Sequence, residues 1–84
     1  MYLHLGSGAV VRNDSIVAIL DLDITSQSHI TRKYLSQAEK NGEIVNVAED
    51  IPKSFVVCRD DRGRRVYLSQ MSSQTLLKRV ESGE

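Results

Sequence analysis

The run Phe55-Val56-Val57-Cys58, the charged segment Arg59-Asp60-Asp61-Arg62-Gly63-Arg64-Arg65 and the run Val66-Tyr67-Leu68 constrain this chain more than any other stretch. Two short runs rich in β-branched and aromatic residues flank a polar segment that holds a glycine, which is the pattern of a β-hairpin. A Ser-rich helix start follows at Ser72-Ser73-Gln74 and leads into the apolar Leu76, Leu77 and Val80. The turn is predicted near Asp61-Arg62-Gly63, and the last helix from Ser72 or Ser73 to Glu81.

The segments before this hairpin read as short strands around one helix. Tyr2-Leu3-His4-Leu5 alternates weakly and ends at Gly6-Ser7-Gly8, whose glycines permit the positive φ of a tight reversal. Ala9-Val10-Val11-Arg12 is the expected partner strand, and Asn13-Asp14-Ser15 a turn. From Ile16 to Ile24 the apolar pattern is first continuous and then alternating. Leu20, Leu22 and Ile24 fall on one face, Asp21 and Asp23 on the other. This predicts a long strand, buried on both faces at first and half-exposed later. Ile30, Tyr34, Leu35 and Ala38 mark one face of an amphipathic helix from His29 to Lys40, closed by Gly42. Ile44-Val45-Asn46-Val47 reads as a short strand, and Pro52 marks a loop from Glu49 to Lys53. The order ββ-β-α-β-ββ-α predicts an α+β fold. The expected form is a small, mostly antiparallel sheet with one central amphipathic helix and a short C-terminal helix, the helices covering one face.

Eighty-four residues suffice for one domain, spanning residues 1–84. A chain of this size buries only about 60–65% of its unfolded surface, so a lone monomer is marginal. The single cysteine, Cys58, leaves no internal disulfide to compensate, and self-association is expected. No apolar run approaches a membrane span, and the N-terminus lacks the basic and apolar segments of a signal peptide. A cytoplasmic protein without a membrane partner is the expectation.

Catalytic constellations are missing from the sequence. Gly6-Ser7-Gly8 precedes a strand rather than a helix, so it reads as a hairpin turn and not a phosphate loop. Asp21 and Asp23 share a strand face, which reads as a solvated outer face rather than an acid–base pair. His4, His29 and Cys58 stand singly, without the short paired spacings of a zinc site. No Ser–His–acid arrangement is supported. The chain is therefore expected not to be an enzyme, and to use no cofactor, metal or small-molecule substrate.

Charge carries the remaining signal. The formal net charge is zero, which argues against a general nucleic-acid binder. Its distribution is uneven: residues 14–50 hold seven acids and three bases, residues 59–79 six bases and two acids. Arginine suits phosphate because its planar fork donates two hydrogen bonds. Arg62, Arg64 and Arg65 lie within four positions on the expected turn, where all could reach one surface; Asp60 and Asp61 could instead pair with them. Arg12 and Lys53 complete the candidate nucleic-acid-binding set. Arg32, Lys33 and Lys40 read as a solvated helix face, while Lys78 and Arg79 complement the dipole of the last helix.

Met1-Tyr2-Leu3-His4-Leu5-Gly6 with Val10-Val11, Pro52-Lys53-Ser54-Phe55-Val56-Val57, and Tyr67-Leu68-Ser69-Gln70-Met71-Ser72-Ser73-Gln74-Thr75-Leu76 resemble the RemA/RemB family of small bacterial extracellular matrix regulatory proteins. The likeness runs from Met1 to about Arg79. It implies a regulator that supports biofilm matrix gene expression, assembles into ring-like homo-oligomers and contacts duplex DNA through arginines. Ser15 stands where RemA-type members carry an arginine, and Ile51 and Pro52 where they carry a pair. The alternative function is a protein–protein interaction module without DNA binding, which the zero net charge and these departures favour.

Overall fold

The computed structural model describes residues 2–6, 8–22 and 29–82, apart from the side chains at 29–31. Strands β1 (Tyr2–Gly6) and β2 (Ala9–Arg12) pair antiparallel, with Leu3 opposite Val11 and His4 opposite Val10. A short 3-10 turn (Asn13–Ser15) follows, with Ser15 Oγ donating to the Arg12 carbonyl at 2.7 Å. Then come β3 (Ile16–Asp21), α1 (His29–Lys40) and β4 (Ile44–Asn46). The chain closes with β5 (Ser54–Asp60), β6 (Gly63–Ser69) and α2 (Ser73–Ser82). The predicted element order holds. The predicted strand end at Ile24 and the residue Asp23 lie outside the described residues.

Strands β3, β5, β6 and β4 form one sheet in that order, antiparallel except that β4 runs parallel to β6. The β1–β2 hairpin is a second sheet. The α+β class holds, but the expectation of a single sheet around a central helix does not. The reason lies in β5, where Ser54, Phe55, Val56, Val57 and Cys58 are buried in succession. Alternate residues of a strand point to opposite faces, so such a run needs cover on both.

That cover comes from different parts of the chain. Phe55 and Val57 pack with Val66, Leu68 and the Tyr34, Leu35 and Ala38 face of α1. Val56 and Cys58 pack with Leu3, Leu5 and Val11 of the hairpin and with Leu76 and Val80 of α2. The two helices therefore lie on opposite faces of the sheet, not on one as expected. One twelve-residue helix can shield only one side of the strands.

Strand β3 fits this arrangement through a bulge. Ile16 is opposite Cys58 and Ala18 opposite Val57, so Val17 is the extra residue, and it is 64% exposed. The bulge resets the alternation. Ile16 and Ile19 join the α2 side, and Ala18, Leu20 and Leu22 the α1 side. Asp21 follows Ile19 onto the α2 side, where it is half-buried and accepts a hydrogen bond from Ser73 Oγ at 3.2 Å. Its face is thus covered by the start of α2 rather than solvated.

Polar contacts join the layers and close the helices. Ser69 is fully buried, donates to the Leu5 carbonyl at 2.8 Å and accepts from the Met71 N–H at 3.1 Å, tying the hairpin to the sheet. Ser72 caps α2, its Oγ accepting from the Thr75 N–H at 3.1 Å. At the end of α1, Gly42 takes φ 71° and the Glu43 N–H reaches back to the Ala38 carbonyl at 2.9 Å, the closure expected of that glycine.

Candidate nucleic-acid interface

Asp60 and Gly63 pair across the end of the β5–β6 hairpin, leaving Asp61-Arg62 as a two-residue loop. Gly63 has φ 122°, a region side chains avoid, and the Asp60 carboxylate accepts from the Arg62 N–H at 2.8 Å. The charged segment read as a turn is therefore mostly strand. Arg59 lies in β5, and Arg64 and Arg65 lie in β6.

Strand alternation then separates the arginines. Arg64 is opposite Arg59 and shares its face with Val66 and Leu68, on the α1 side. Its guanidinium stands 5.5 Å from the centre of the Tyr34 ring, and its Nε lies 3.5 Å from Glu43 Oε1. At that distance Glu43 Oε1 forms an ion pair but no hydrogen bond. Arg65 is opposite Cys58 and shares its face with Tyr67, on the hairpin side. The expectation that Arg62, Arg64 and Arg65 reach one surface is thus corrected, because neighbouring residues of a strand point apart.

On the hairpin side a cleft of about 410 Å³ opens between the end of the β5–β6 hairpin and the β2 end. Arg12, Arg59 and Arg65 line it, with Tyr67, Ser15 and Cys58. Its cations are balanced. Asp14, Asp60 and Asp61 also line the cleft, and Arg12 pairs with Asp14 at 2.8 Å, both side chains well exposed. Cys58 sits at its base. Burial pushes the thiol above its ordinary range, Ser15 pulls it down through a hydrogen bond, and Asp60 pushes it up. The thiol is therefore protonated at neutral pH and a poor nucleophile.

The remaining candidates lie apart from this cleft. Arg62 is exposed in the loop itself and does not line it. Lys53 is exposed just before β5 begins, and its backbone bonds Ser69 and Leu22. Seven strand residues separate it from the loop, roughly 20 Å at the usual rise per residue. Among the described residues neither Asp60 nor Asp61 forms an ion pair with Arg62, Arg64 or Arg65.

The sequence reading missed Arg59 as a member of this group. Its place opposite Arg64 follows from the strand register, which leaves no local trace in the sequence. The sequence reading placed Tyr34 only on the apolar helix face and gave Glu43 no role, because their contact with Arg64 spans distant segments. Among the described residues, no group of three or more His, Cys, Asp or Glu side chains is placed to hold a metal ion, and no helix is long and apolar enough to cross a membrane.

The sequence model of the RemA-like family, described as extracellular matrix regulatory protein A-like, matches residues 2–80. The chain belongs to the RemA-like family. The match takes in both sheets, α1 and the part of α2 up to Val80. The family's description places this RemA-like chain among regulators of the extracellular matrix. No curated protein matches it closely enough to count as a relative. Three positions where the resemblance implies arginines, Ser15, Ile51 and Pro52, are occupied differently in this RemA-like chain. Ser15 bonds the Arg12 carbonyl, and Ile51 is 77% exposed in the loop before β5.

Proposed function

We propose that this chain is a cytoplasmic, oligomeric regulator of the RemB type that supports expression of extracellular matrix genes by contacting DNA phosphates. The family supplies the regulatory class. The observation that carries the DNA contact is the end of the β5–β6 hairpin. Arg59, Arg62, Arg64 and Arg65 crowd around a two-residue loop, all exposed, and only Arg64 has an acidic partner among the described residues. Like charges opposite one another, as at Arg59 and Arg64, destabilise a strand pair, and a bound anion relieves this.

Arg62, Arg64 and Arg65 are the primary contacts, with Arg12 beside Arg65 in the cleft and Lys53 reached only by a duplex lying along the sheet. One chain offers few cations to any single surface. A ring-like homo-oligomer repeats the hairpin end and multiplies weak contacts by avidity. Phosphate contacts fix position without reading bases, so binding is insensitive to sequence and steeply dependent on salt.

The test is a salt-series gel shift on generic duplex DNA, with the oligomeric mass measured by light scattering. The expected slope of log affinity against log salt is about −0.9 for each phosphate neutralised. An Arg64→Glu, Arg65→Glu double variant is expected to lose affinity for all sequences alike. Failure of the wild-type chain to retard DNA at low ionic strength would overturn the reading. Recovery of a protein partner in the same preparation would then establish an interaction module instead.

A further inference from the structure

Among the described residues, the solvent-facing stripe of α1 is cationic and its bases form no ion pair. Arg32, Lys33, Ser36, Gln37 and Lys40 line one shallow surface of the helix, opposite the Tyr34, Leu35 and Ala38 face that packs on the sheet. A salt-bridged solvated helix places acids three or four residues from its bases. Within this helix the stripe positions at that spacing from Arg32, Lys33 and Lys40 are Ser36 and Gln37. Glu39 stands off the stripe, on the flank beside Leu22 and Ile44.

This stripe lies on the same side of the sheet as Arg64, whose guanidinium rests over Tyr34 of α1. Among the described residues the α1 side thus carries Arg32, Lys33, Lys40 and Arg64 against Glu39 and Glu43. On the other side, Asp14, Asp60 and Asp61 offset the cleft arginines, and Glu81 stands beside Lys78 on α2.

We infer that the DNA-contacting surface continues from the hairpin end along α1, with Arg32, Lys33 and Lys40 contacting backbone phosphates. This rests on the proposed DNA-binding function and extends it to residues outside the hairpin. The occupant is a duplex rather than an acidic protein because the stripe holds no apolar side chain. Protein–protein interfaces need an apolar centre, whereas protein–DNA interfaces are polar and strongly positive. Lys40 follows Arg32 by eight positions, about 12 Å along the helix axis. That matches the roughly 12 Å width of the major groove, so cations at the two ends of the stripe can meet phosphates on either lip. Ser36 and Gln37 lie between them with hydrogen-bonding side chains.

The experiment uses the full chain and the same duplex over a salt series. The variants are Lys33→Ala/Lys40→Ala and, independently, Arg32→Ala/Lys33→Ala, with Lys33→Arg/Lys40→Arg as the rescue. All these positions are exposed on a helix, where alanine is well tolerated, and thermal unfolding checks each variant. Each alanine pair is expected to flatten the salt slope by about 1.8, with equal loss on unrelated sequences, and the arginine pair to restore it. Wild-type binding with an unchanged slope in both alanine pairs overturns the α1 contact and leaves the hairpin contact standing. No wild-type binding overturns both. A protein partner lost in the alanine pairs, without DNA binding, overturns the choice of DNA.

Discussion

Arg64 and Arg65 are adjacent in the chain but meet different chemistry. Arg64 rests on Tyr34 beside Glu43, while Arg65 borders a cleft with three carboxylates. The residue types were legible in the sequence. Which of them faces α1 required placing the loop at Asp61-Arg62, because moving a turn by one residue exchanges the faces of every residue after it. Cys58 offers a sharper test at this scale. Burial raises its thiol pKa first, with Asp60 adding to the rise and Ser15 opposing it. A raised thiol pKa favours the protonated form in the native state. Its contribution to stability is therefore complete below the ordinary thiol pKa and is lost as pH rises through the native value. Unfolding free energy should fall over that alkaline window, and Cys58→Ala should flatten the fall. A thiol reagent at neutral pH should label Cys58 slowly until denaturant is added. Labelling at the rate of an unfolded peptide would contradict the burial on which this rests.

Elements differ in how far the sequence specified them. Helix α1 and its Gly42 closure were readable because an apolar stripe and a terminal glycine are local signals. The end of β5 and the start of β6 were not, since charged residues that project beyond the core carry no burial pattern. The β3 bulge was also invisible. Val17 is apolar, and only pairing with β5 reveals it as the unpaired residue. Helix α2 gives a clean contrast between inward and outward positions. Leu76 is fully buried against both sheets, while Leu77 is 44% exposed. Leu76→Ala should cost about 2–5 kcal/mol from lost burial and the cavity left behind. Leu77→Ala should stay within about 0.5 kcal/mol. Urea unfolding of the two variants measures both, and equal losses would mean that α2 docks differently or that Leu77 is covered in an assembly.

At the scale of the molecule, the sheet has a covered face on each side but a small core, split between two clusters. Tyr2, Val10, Val17 and Ile51 remain exposed. A domain of this size is marginal alone, so association of copies should add to its stability. The midpoint of thermal unfolding should then rise with protein concentration, because assembly favours the folded state by mass action. A midpoint constant over a hundredfold range would show that the isolated chain supplies its own stability. The sequence by itself determined the element order, the apolar face of α1 and the family, because periodicity and capping are local and survive without knowledge of neighbours. Only the tertiary structure decided that the two helices oppose each other across the sheet. It alone divided the arginines between two sides and set Arg64 over Tyr34 of α1. Those outcomes depend on strand register and on contacts between residues far apart in the chain, and neither leaves a local trace in the order of amino acids.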